Sequence, residues 1–234
     1  QTPAGTTTPA SVTSPSATTT PASVSTSPSV VTTNTAVTGS ALGDKIIAGN
    51  YVYVVTKVPT LTAKGTVRIK RIRNAAMKKS SLTVADSITK NGLTYSITGI
   101  STRSFKSSTA LKKVTIGKNV TYLGARAFQG LTKLQTVTLG SGLTEIRDYA
   151  FAGCTSLRKI SIPAKVKKIG TKSFYNCKKL KAVIINTKVL TKIGKNAFTN
   201  TRSGAYVVIA SGKKTAYKKL LKNANASRIA IYTY

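Results

Sequence analysis

Few side chains in this 234-residue chain could carry out chemistry, and their types restrict what that chemistry could be. The sequence contains no histidine, which excludes Ser-His and Cys-His nucleophile schemes and removes the usual metal ligand. Its four carboxylates belong to Asp44, Asp86, Glu145 and Asp148, and only the last two are close in sequence. Paired carboxylates can hydrolyse a glycosidic bond, but among so many lysines these two are expected to be salt-bridge partners. We therefore expect no enzyme, no metal site and no cofactor.

Positive charge is the dominant chemical property of the chain. It has 37 Lys and Arg residues against 4 Asp and Glu residues, a formal net charge of +33, and every charge follows residue 40. Such a surface attracts polyanions, and its binding to them should weaken as salt rises. The predicted partners are an extracellular protein or an anionic polysaccharide. The alternative is a solvated lysine surface that only keeps the chain soluble.

One short segment, Arg68–Arg73, concentrates cations at Arg68, Lys70, Arg71 and Arg73 and raises the question of nucleic acid binding. Sequence-specific readers add a recognisable module or exposed aromatic side chains for base stacking. This chain has no tryptophan, and its phenylalanines belong to a repeated core motif. We expect only nonspecific nucleic acid binding at low salt, through phosphate contacts.

The elements that must position these cations are set by an internal repeat. A Ser-Phe or Ala-Phe pair recurs five times, at spacings of 23, 23, 23 and 24 residues, with phenylalanines Phe105, Phe128, Phe151, Phe174 and Phe198. A fixed period of this length predicts a solenoid, because each unit is too small to bury its own apolar face.

Within each unit the apolar residues outline two walls. An L-x-x-V-x-I phrase such as Leu157, Ile160 and Ile162 predicts a strand, since residues two apart share one face. A second apolar pair, such as Val166 and Ile169, predicts the returning wall of the coil. Three glycines then precede the phenylalanines, and we expect a tight corner with positive φ at Gly124, Gly170 and Gly194.

The only cysteines, Cys154 and Cys177, occupy the same repeat position and should lie one above the other in adjacent coils. Equivalent Cα atoms about 4.8 Å apart are within reach of a disulfide, but parallel Cβ vectors make its torsion unfavourable. We favour two buried free thiols, with a disulfide as the alternative.

The repeat resembles a known family. The segment LRKISIPAKVKKIG at residues 157–170, followed by SFYNC at residues 173–177, is similar to the BspA-type leucine-rich repeat, and residues 101–200 match its pattern. The resemblance implies a leucine-rich repeat solenoid, mainly β, with parallel strands joined by short turns or helical segments. It also implies a secreted or cell-surface domain of a Gram-positive bacterium, associated with adhesion, and it brings no catalytic residues.

The flanks of the repeat array predict its caps. Residues 1–40 carry no charge and are rich in Ser, Thr and Pro, which predicts a disordered linker or stalk. The alternative is a disordered tail that has no function. Residues 41–100 predict a β-rich N-terminal cap, with a type I′ hairpin at Asn91-Gly92. Residues 201–234 predict a strand followed by a capping helix over 215–223, although a basic amphipathic helix can also lie on a membrane. No apolar run is long enough to span a bilayer.

Two surfaces are candidate binding sites. The cations of the returning segments are the candidate polyanion site, namely Lys118, Arg126, Arg147, Lys165, Lys167, Lys168, Lys172, Lys188, Lys192 and Lys195. The outward positions of the L-x-x-V-x-I strands are the candidate protein-binding face, namely Lys113, Thr115, Thr136, Thr138, Lys159 and Ser161.

The sequence thus predicts an adhesin-like binding module on the cell surface, which uses a basic solenoid surface to bind host matrix proteins or anionic glycans. The alternative is a structural module that attaches a larger protein to the anionic wall polymers of the producing cell.

Overall fold

The computed structural model describes residues 40–60, 62–226 and 229–233. Except for Ser40, the predicted linker at residues 1–40 lies outside the described residues.

The described part begins with three antiparallel strands, β1 (Lys45–Ala48), β2 (Tyr51–Lys57) and β3 (Gly65–Ile72). In β3, buried residues alternate with exposed cations, as its sequence of Val and Ile between Arg and Lys requires. A single-turn helix α1 (Asn74–Met77) and strand β4 (Ser81–Val84) follow.

A hairpin connects these strands to the solenoid. Strands β5 (Ser87–Lys90) and β6 (Leu93–Ile100) pair antiparallel around Asn91 and Gly92, whose φ values of 50° and 74° fit the predicted type I′ turn. Strand β6 also pairs with β3 in parallel, so the cap provides the first strand on which the repeats stack.

Four coils contribute one longer and one shorter strand each, and a fifth contributes a longer strand only. The longer strands are β7 (Lys113–Ile116), β9 (Thr136–Thr138), β11 (Lys159–Ile162), β13 (Ala182–Ile185) and β15 (Tyr206–Ile209). The shorter strands are β8 (Tyr122–Leu123), β10 (Glu145–Ile146), β12 (Lys168–Ile169) and β14 (Lys192–Ile193). Helix α2 (Lys214–Asn223) and strand β16 (Ala230–Thr233) follow.

These strands form two walls. The long sheet has the order β1-β2-β3-β6-β8-β10-β12-β14, with β5 on β6, and is parallel from β3 onward. The second wall consists of two parallel sheets, β4-β7-β9 and β11-β13-β15-β16. Equivalent repeat positions pair in register, as Ile146 does with Ile169. The predicted solenoid with a returning wall is confirmed.

The core between the walls is built on a ladder of phenylalanine rings. All five are buried, with centroid separations of 4.5, 5.1, 5.3 and 5.3 Å along the array. The last three pairs are stacked, with interplanar angles of 3°, 9° and 6°. Tyr51 of the cap lies 6.1 Å from Phe105, so the ladder continues into the cap.

The prediction that the corner glycines have positive φ is wrong. Gly124, Gly170 and Gly194 do not have positive φ; instead, a Cβ at each would overlap the backbone of the preceding coil, at Ser101 below Gly124 for example. The glycines are present because the coils approach closely there.

Positive φ occurs two residues later, at side-chain-bearing residues. The five equivalent positions have φ values of 51–58°, namely Arg103, Arg126, Tyr149, Lys172 and Asn196. In each case the N–H donates to a carbonyl further along the chain, as Arg126 does to Asp148 at 2.9 Å and Lys172 does to Lys195 at 3.0 Å. These inter-coil hydrogen bonds offset the cost of the left-handed conformation, about 1–2 kcal/mol per residue.

The C-terminal end matches the predicted strand and helix. Helix α2 buries Tyr217 and Leu221 and leaves its lysines exposed, and the Tyr217 hydroxyl donates to the carbonyl of Thr187. This face of the helix covers the last coil, which supports a capping role.

Cys154 and Cys177 are free and fully buried, as favoured from the sequence. Each thiol donates to a carbonyl of the preceding coil at 3.2 Å, Cys154 to Phe128 and Cys177 to Phe151. Burial raises the pKa of both thiols, that of Cys177 to about 12.

We expect both thiols to be unreactive toward Ellman's reagent in the native chain at pH 8 and to react fully in guanidinium chloride. The reason is that a buried neutral thiol is a poor nucleophile. Because burial raises the pKa of Cys177 from the 9.0 of an unperturbed thiol to about 12, the stability of the fold should also decrease as pH rises from 9.0 toward about 12. Rapid labelling of the native chain at pH 8 would contradict this prediction.

Candidate functional site

The strand register of the long sheet aligns one row of outward-facing residues across eight strands. We call this the outer row; from β1 to β14 it consists of Lys45, Val54, Arg68, Gly99, Tyr122, Glu145, Lys168 and Lys192. In the repeats its neighbours on the opposite face, Leu123, Ile146, Ile169 and Ile193, are buried, so the row faces away from the core. Four of its eight members are cationic.

The centre of the outer row has a specific local structure. The ring of Tyr122 lies over Gly99, where a Cβ would overlap the phenol ring. The guanidinium carbon of Arg147 lies 4.4 Å from the centroid of the same ring, a cation–π contact. A glycine in β6 therefore lets the tyrosine lie against the sheet, and the tyrosine positions the arginine.

The four carboxylates have structural partners. Asp86 and Asp148 accept backbone N–H groups of later coils, Lys118 at 2.6 Å and Thr171 at 2.7 Å, and Asp44 accepts that of Ala41 at 2.7 Å.

Two ion pairs link carboxylates to cations in the described part of the chain. Glu145 accepts a hydrogen bond from Nε of Arg147 at 2.9 Å, and Lys118 lies 3.7 Å from Asp86. Glu145 and Asp148 thus act as structural anchors, and among the described residues nearly all the cations lack a carboxylate partner.

The ten predicted polyanion-binding residues fall in three regions. Arg147, Lys168 and Lys192 lie on or beside the outer row. The connections from the second wall to the long sheet carry Lys118, Lys165, Lys167 and Lys188, of which Lys167 directly precedes β12. The connections from the long sheet to the second wall carry Arg126, Lys172 and Lys195.

The last region includes a small group of cations and aromatic rings, which we call the corner cluster: Arg126, Tyr149, Lys172 and Tyr175. The guanidinium carbon of Arg126 lies 4.8 Å from the Tyr149 centroid. Nζ of Lys172 lies 5.7 Å from the Tyr149 centroid and 5.5 Å from that of Tyr175. The cluster repeats, on another side of the coil, the cation–π contact at the outer row.

The six residues of the candidate protein-binding face lie on the second wall. In β7 and β9, Lys113 pairs with Thr136 and Thr115 with Thr138. Lys159 and Ser161 follow on β11, and all six are at least partly exposed. The surface they form is small, hydroxylated and weakly basic.

The same face becomes more apolar toward β16. The next positions in register are Ala182 and Ile184, then Tyr206 and Val208. Tyr232 of β16 is 58% exposed and packs edge-on against Tyr206 at 5.5 Å.

The cations of residues 68–73 separate in the structure. Arg68 and Lys70 alternate with buried Ile69 and point outward from β3 beside Tyr122. Arg73 instead donates through Nη1 to the carbonyl of Gly49 at 2.9 Å, which ties two parts of the cap together.

Sequence reasoning missed Arg68, Lys70 and Tyr122 as parts of the candidate polyanion surface. The signal that could have found them is the 23-residue period, because it makes Tyr122 equivalent to Glu145 and Lys168 and, one period earlier, to Gly99.

No helix among the described residues is long and apolar enough to cross a bilayer. Within residues 40–60, 62–226 and 229–233, no group of three or more His, Cys, Asp or Glu side chains could hold a metal ion.

Comparison with solved structures finds bacterial leucine-rich repeat proteins. A leucine-rich repeat protein from Bacteroides capillosus is 26% identical, with a TM-score of 0.52, and the match covers 61% of this chain and 98% of that chain. The T. pallidum leucine-rich repeat protein is 22% identical, with a TM-score of 0.60, covering 81% of this chain and 86% of that chain. The pneumococcal vaccine antigen PcpA is 21% identical, with a TM-score of 0.58, covering 74% of this chain and 51% of that chain.

A search of curated proteins gave no match. The family model for the BspA type leucine rich repeat region matches residues 98–227 in six copies, which is more than half of the chain. This range contains the phenylalanine ladder, both cysteines and the repeat part of the outer row. The chain belongs to the BspA-type leucine-rich repeat family.

Proposed function

We propose that this chain is a secreted or cell-surface binding module of the adhesin type that uses the outer face of its long sheet to hold anionic polysaccharide. The observation that carries the proposal is the outer row, in which Arg68, Lys168 and Lys192 are aligned by strand register and only Glu145 is acidic. Neighbouring parallel strands are about 4.8 Å apart, so Lys168 and Lys192 lie on adjacent strands, and three strands separate them from Arg68 along the path of an extended polymer. Family membership supports binding rather than catalysis.

The hydroxyl-rich face of the second wall supports binding of a protein partner. Its small Ser and Thr side chains leave a smooth surface for close contact, and its apolar extension around Tyr206 and Tyr232 provides aromatic contact area. The polyanion and protein contacts are thus proposed for opposite walls of one solenoid.

A charge-matched pair of double variants tests whether the outer row is the polyanion surface. The test variant is Lys168→Glu with Lys192→Glu, and the control is Lys113→Glu with Lys159→Glu on the second wall. All four lysines are exposed strand residues. Each double variant lowers the formal net charge from +33 to +29, because each Lys→Glu change replaces one positive charge with one negative charge.

We expect the test variant to bind immobilised heparin at 150 mM NaCl at least about tenfold more weakly than the native chain. The control should change the affinity less than about threefold, because it leaves the outer row intact. Equal losses in both variants would mean that net charge alone drives binding, and would overturn the assignment to the outer row.

The same chain tested against teichoic acid, fibronectin and fibrinogen separates adhesion from wall attachment. Binding to a host protein that persists at high salt supports the adhesin. Binding restricted to teichoic acid supports the alternative, an attachment module for the cell's own wall polymers.

A further inference from the structure

A shallow depression of about 260 Å³ opens at the centre of the outer face of the long sheet. It is lined by Arg68, Lys70, Ser101, Thr102, Tyr122 and Arg147. We call it the Arg147 depression. Its volume is just below the range of about 300–1,000 Å³ usual for small-molecule pockets, so it has room for a single charged sugar unit and not for a longer ligand.

The lining of the Arg147 depression offers hydrogen-bond donors and positive charge without an acid. Three of its six side chains are cationic and the other three carry hydroxyl groups. The hydroxyl of Ser101 is buried and has no hydrogen-bond partner among the described residues. Because that oxygen is inaccessible to solvent, the groups that a ligand can reach are the three cations and the side chains of Thr102 and Tyr122, which are at least partly exposed.

Arg147 is held in place before any ligand arrives. Its Nε donates to Glu145 at 2.9 Å and its guanidinium stacks on Tyr122 at 4.4 Å. Its terminal nitrogens have no hydrogen-bond partner within the described part of the chain. A guanidinium fixed in this way presents donors in the planar geometry that matches a carboxylate or sulfate group.

The neighbouring depression on the same face provides a contrast. It has a volume of about 330 Å³ and is also lined by Arg147, but Glu145 and Asp148 contribute carboxylates to it. Lys168 and Lys192 of the outer row also line it, so its charges are mixed, whereas the Arg147 depression is lined by three cations and no carboxylate and is the more positive of the two.

We propose that the Arg147 depression binds one oxyanion group, a sulfate or a carboxylate, of an anionic polysaccharide whose remaining units follow the outer row. This inference rests on the proposed function and adds to it a defined subsite with a stated ligand chemistry. It makes polysaccharide binding depend on particular residues and not only on total charge.

The test compares single variants of the whole chain by isothermal titration with two probes, a heparin hexasaccharide carrying sulfates and a hyaluronan hexasaccharide carrying only carboxylates. The variants are Arg147→Gln, Arg68→Gln and Arg147→Lys, and the charge-matched control is Lys159→Gln on the second wall. Arg68 lies in β3 and Arg147 follows β10, and both are exposed, so loss of folding in one variant leaves the other informative. Thermal unfolding verifies that each variant is folded.

We expect Arg147→Gln and Arg68→Gln to weaken binding of at least one probe by about tenfold or more, while Lys159→Gln changes it less than about twofold. Arg147→Lys should fail to restore affinity, because an ammonium lacks the planar fork.

Heparin carries carboxylates as well as sulfates, so binding of heparin alone assigns the oxyanion as sulfate, whereas Arg147-dependent binding of hyaluronan shows that a carboxylate is sufficient. Two results overturn the subsite: neither probe binds, or the three glutamine variants behave alike. In the second case the native chain still binds, so the proposed polysaccharide function stands although the subsite fails.

Discussion

Replacing Phe151 with alanine is expected to lower the free energy of unfolding by about 3–5 kcal/mol. Phe151 is fully buried in the middle of the ladder, with Phe128 at 5.1 Å on one side and Phe174 at 5.3 Å on the other. The coils cannot close around the missing ring, because inter-coil hydrogen bonds fix their spacing; the N–H of Phe151 donates to Ser173 at 2.8 Å. The loss therefore combines removed apolar contact with a persistent cavity. Urea unfolding followed by circular dichroism measures it.

Phe198→Ala is the matched control at the end of the ladder. Its ring has one stacking partner, Phe174 at 5.3 Å, and it borders a surface depression of the last coil. We expect a smaller loss there, since water can enter the space that the ring vacates. If both variants lose less than about 1 kcal/mol, the phenylalanine ladder is not a main source of stability.

The stability of this ladder bears directly on binding. In a solenoid each coil contacts only its neighbours, so a defect in one coil weakens the connection between the two halves of the array. Phe151 follows β10, which lies between β8 and β12 in the long sheet. A break there would separate Tyr122 from Lys168 and interrupt the outer row.

The sequence was sufficient to predict the walls and the core. The 23-residue period places Phe128, Phe151 and Phe174 at one position of every coil, and a repeated position can bury its side chain only by stacking on its equivalents. Likewise, residues two apart such as Ile160 and Ile162 could face the core together only in a strand.

The corner of the coil could not be predicted correctly. Glycine before the phenylalanine has two possible reasons, positive φ or close approach, and sequence alone does not separate them. The structure separates them: Gly124 packs against Ser101 of the preceding coil, while Arg126, with a bulky side chain, takes the left-handed conformation. The inter-coil hydrogen bond from the N–H of Arg126 offsets the cost of placing a non-glycine residue in this conformation.

The candidate polyanion surface was predicted only in part. The sequence shows which residues are charged, but it does not show which of them are aligned by strand register. Lys168 and Lys192 were identified as cations of the returning segments, but their alignment with Arg68 depends on how the cap joins the array through β6. The role of Gly99 is also invisible in sequence, since its meaning comes from the ring of Tyr122 that lies on it.

Raising NaCl from 50 to 500 mM is expected to weaken heparin binding at least about 100-fold. Binding of a polyanion to Arg68, Lys168, Lys192 and their neighbours releases counterions from the polymer, so the logarithm of the affinity should fall linearly with the logarithm of salt concentration. The surface favours a steep slope, because 37 cations face only 4 acids in the whole chain.

The slope of the logarithm of affinity against the logarithm of salt concentration identifies which cations contact the polymer. Each cation lost from the contact should reduce the magnitude of this slope by about one. Lys168→Gln and Lys192→Gln should therefore each flatten the salt dependence measured by titration at several NaCl concentrations, whereas Lys113→Gln and Lys159→Gln should leave it unchanged. A native slope near zero would mean that heparin is held by uncharged contacts, contrary to the proposed role of the outer row.

A protein partner on the hydroxyl-rich second wall should show the opposite behaviour, with an affinity that changes little across the same salt range. A salt titration therefore distinguishes the charge-dependent binding proposed for the long sheet from the close-packed protein contact proposed for the second wall.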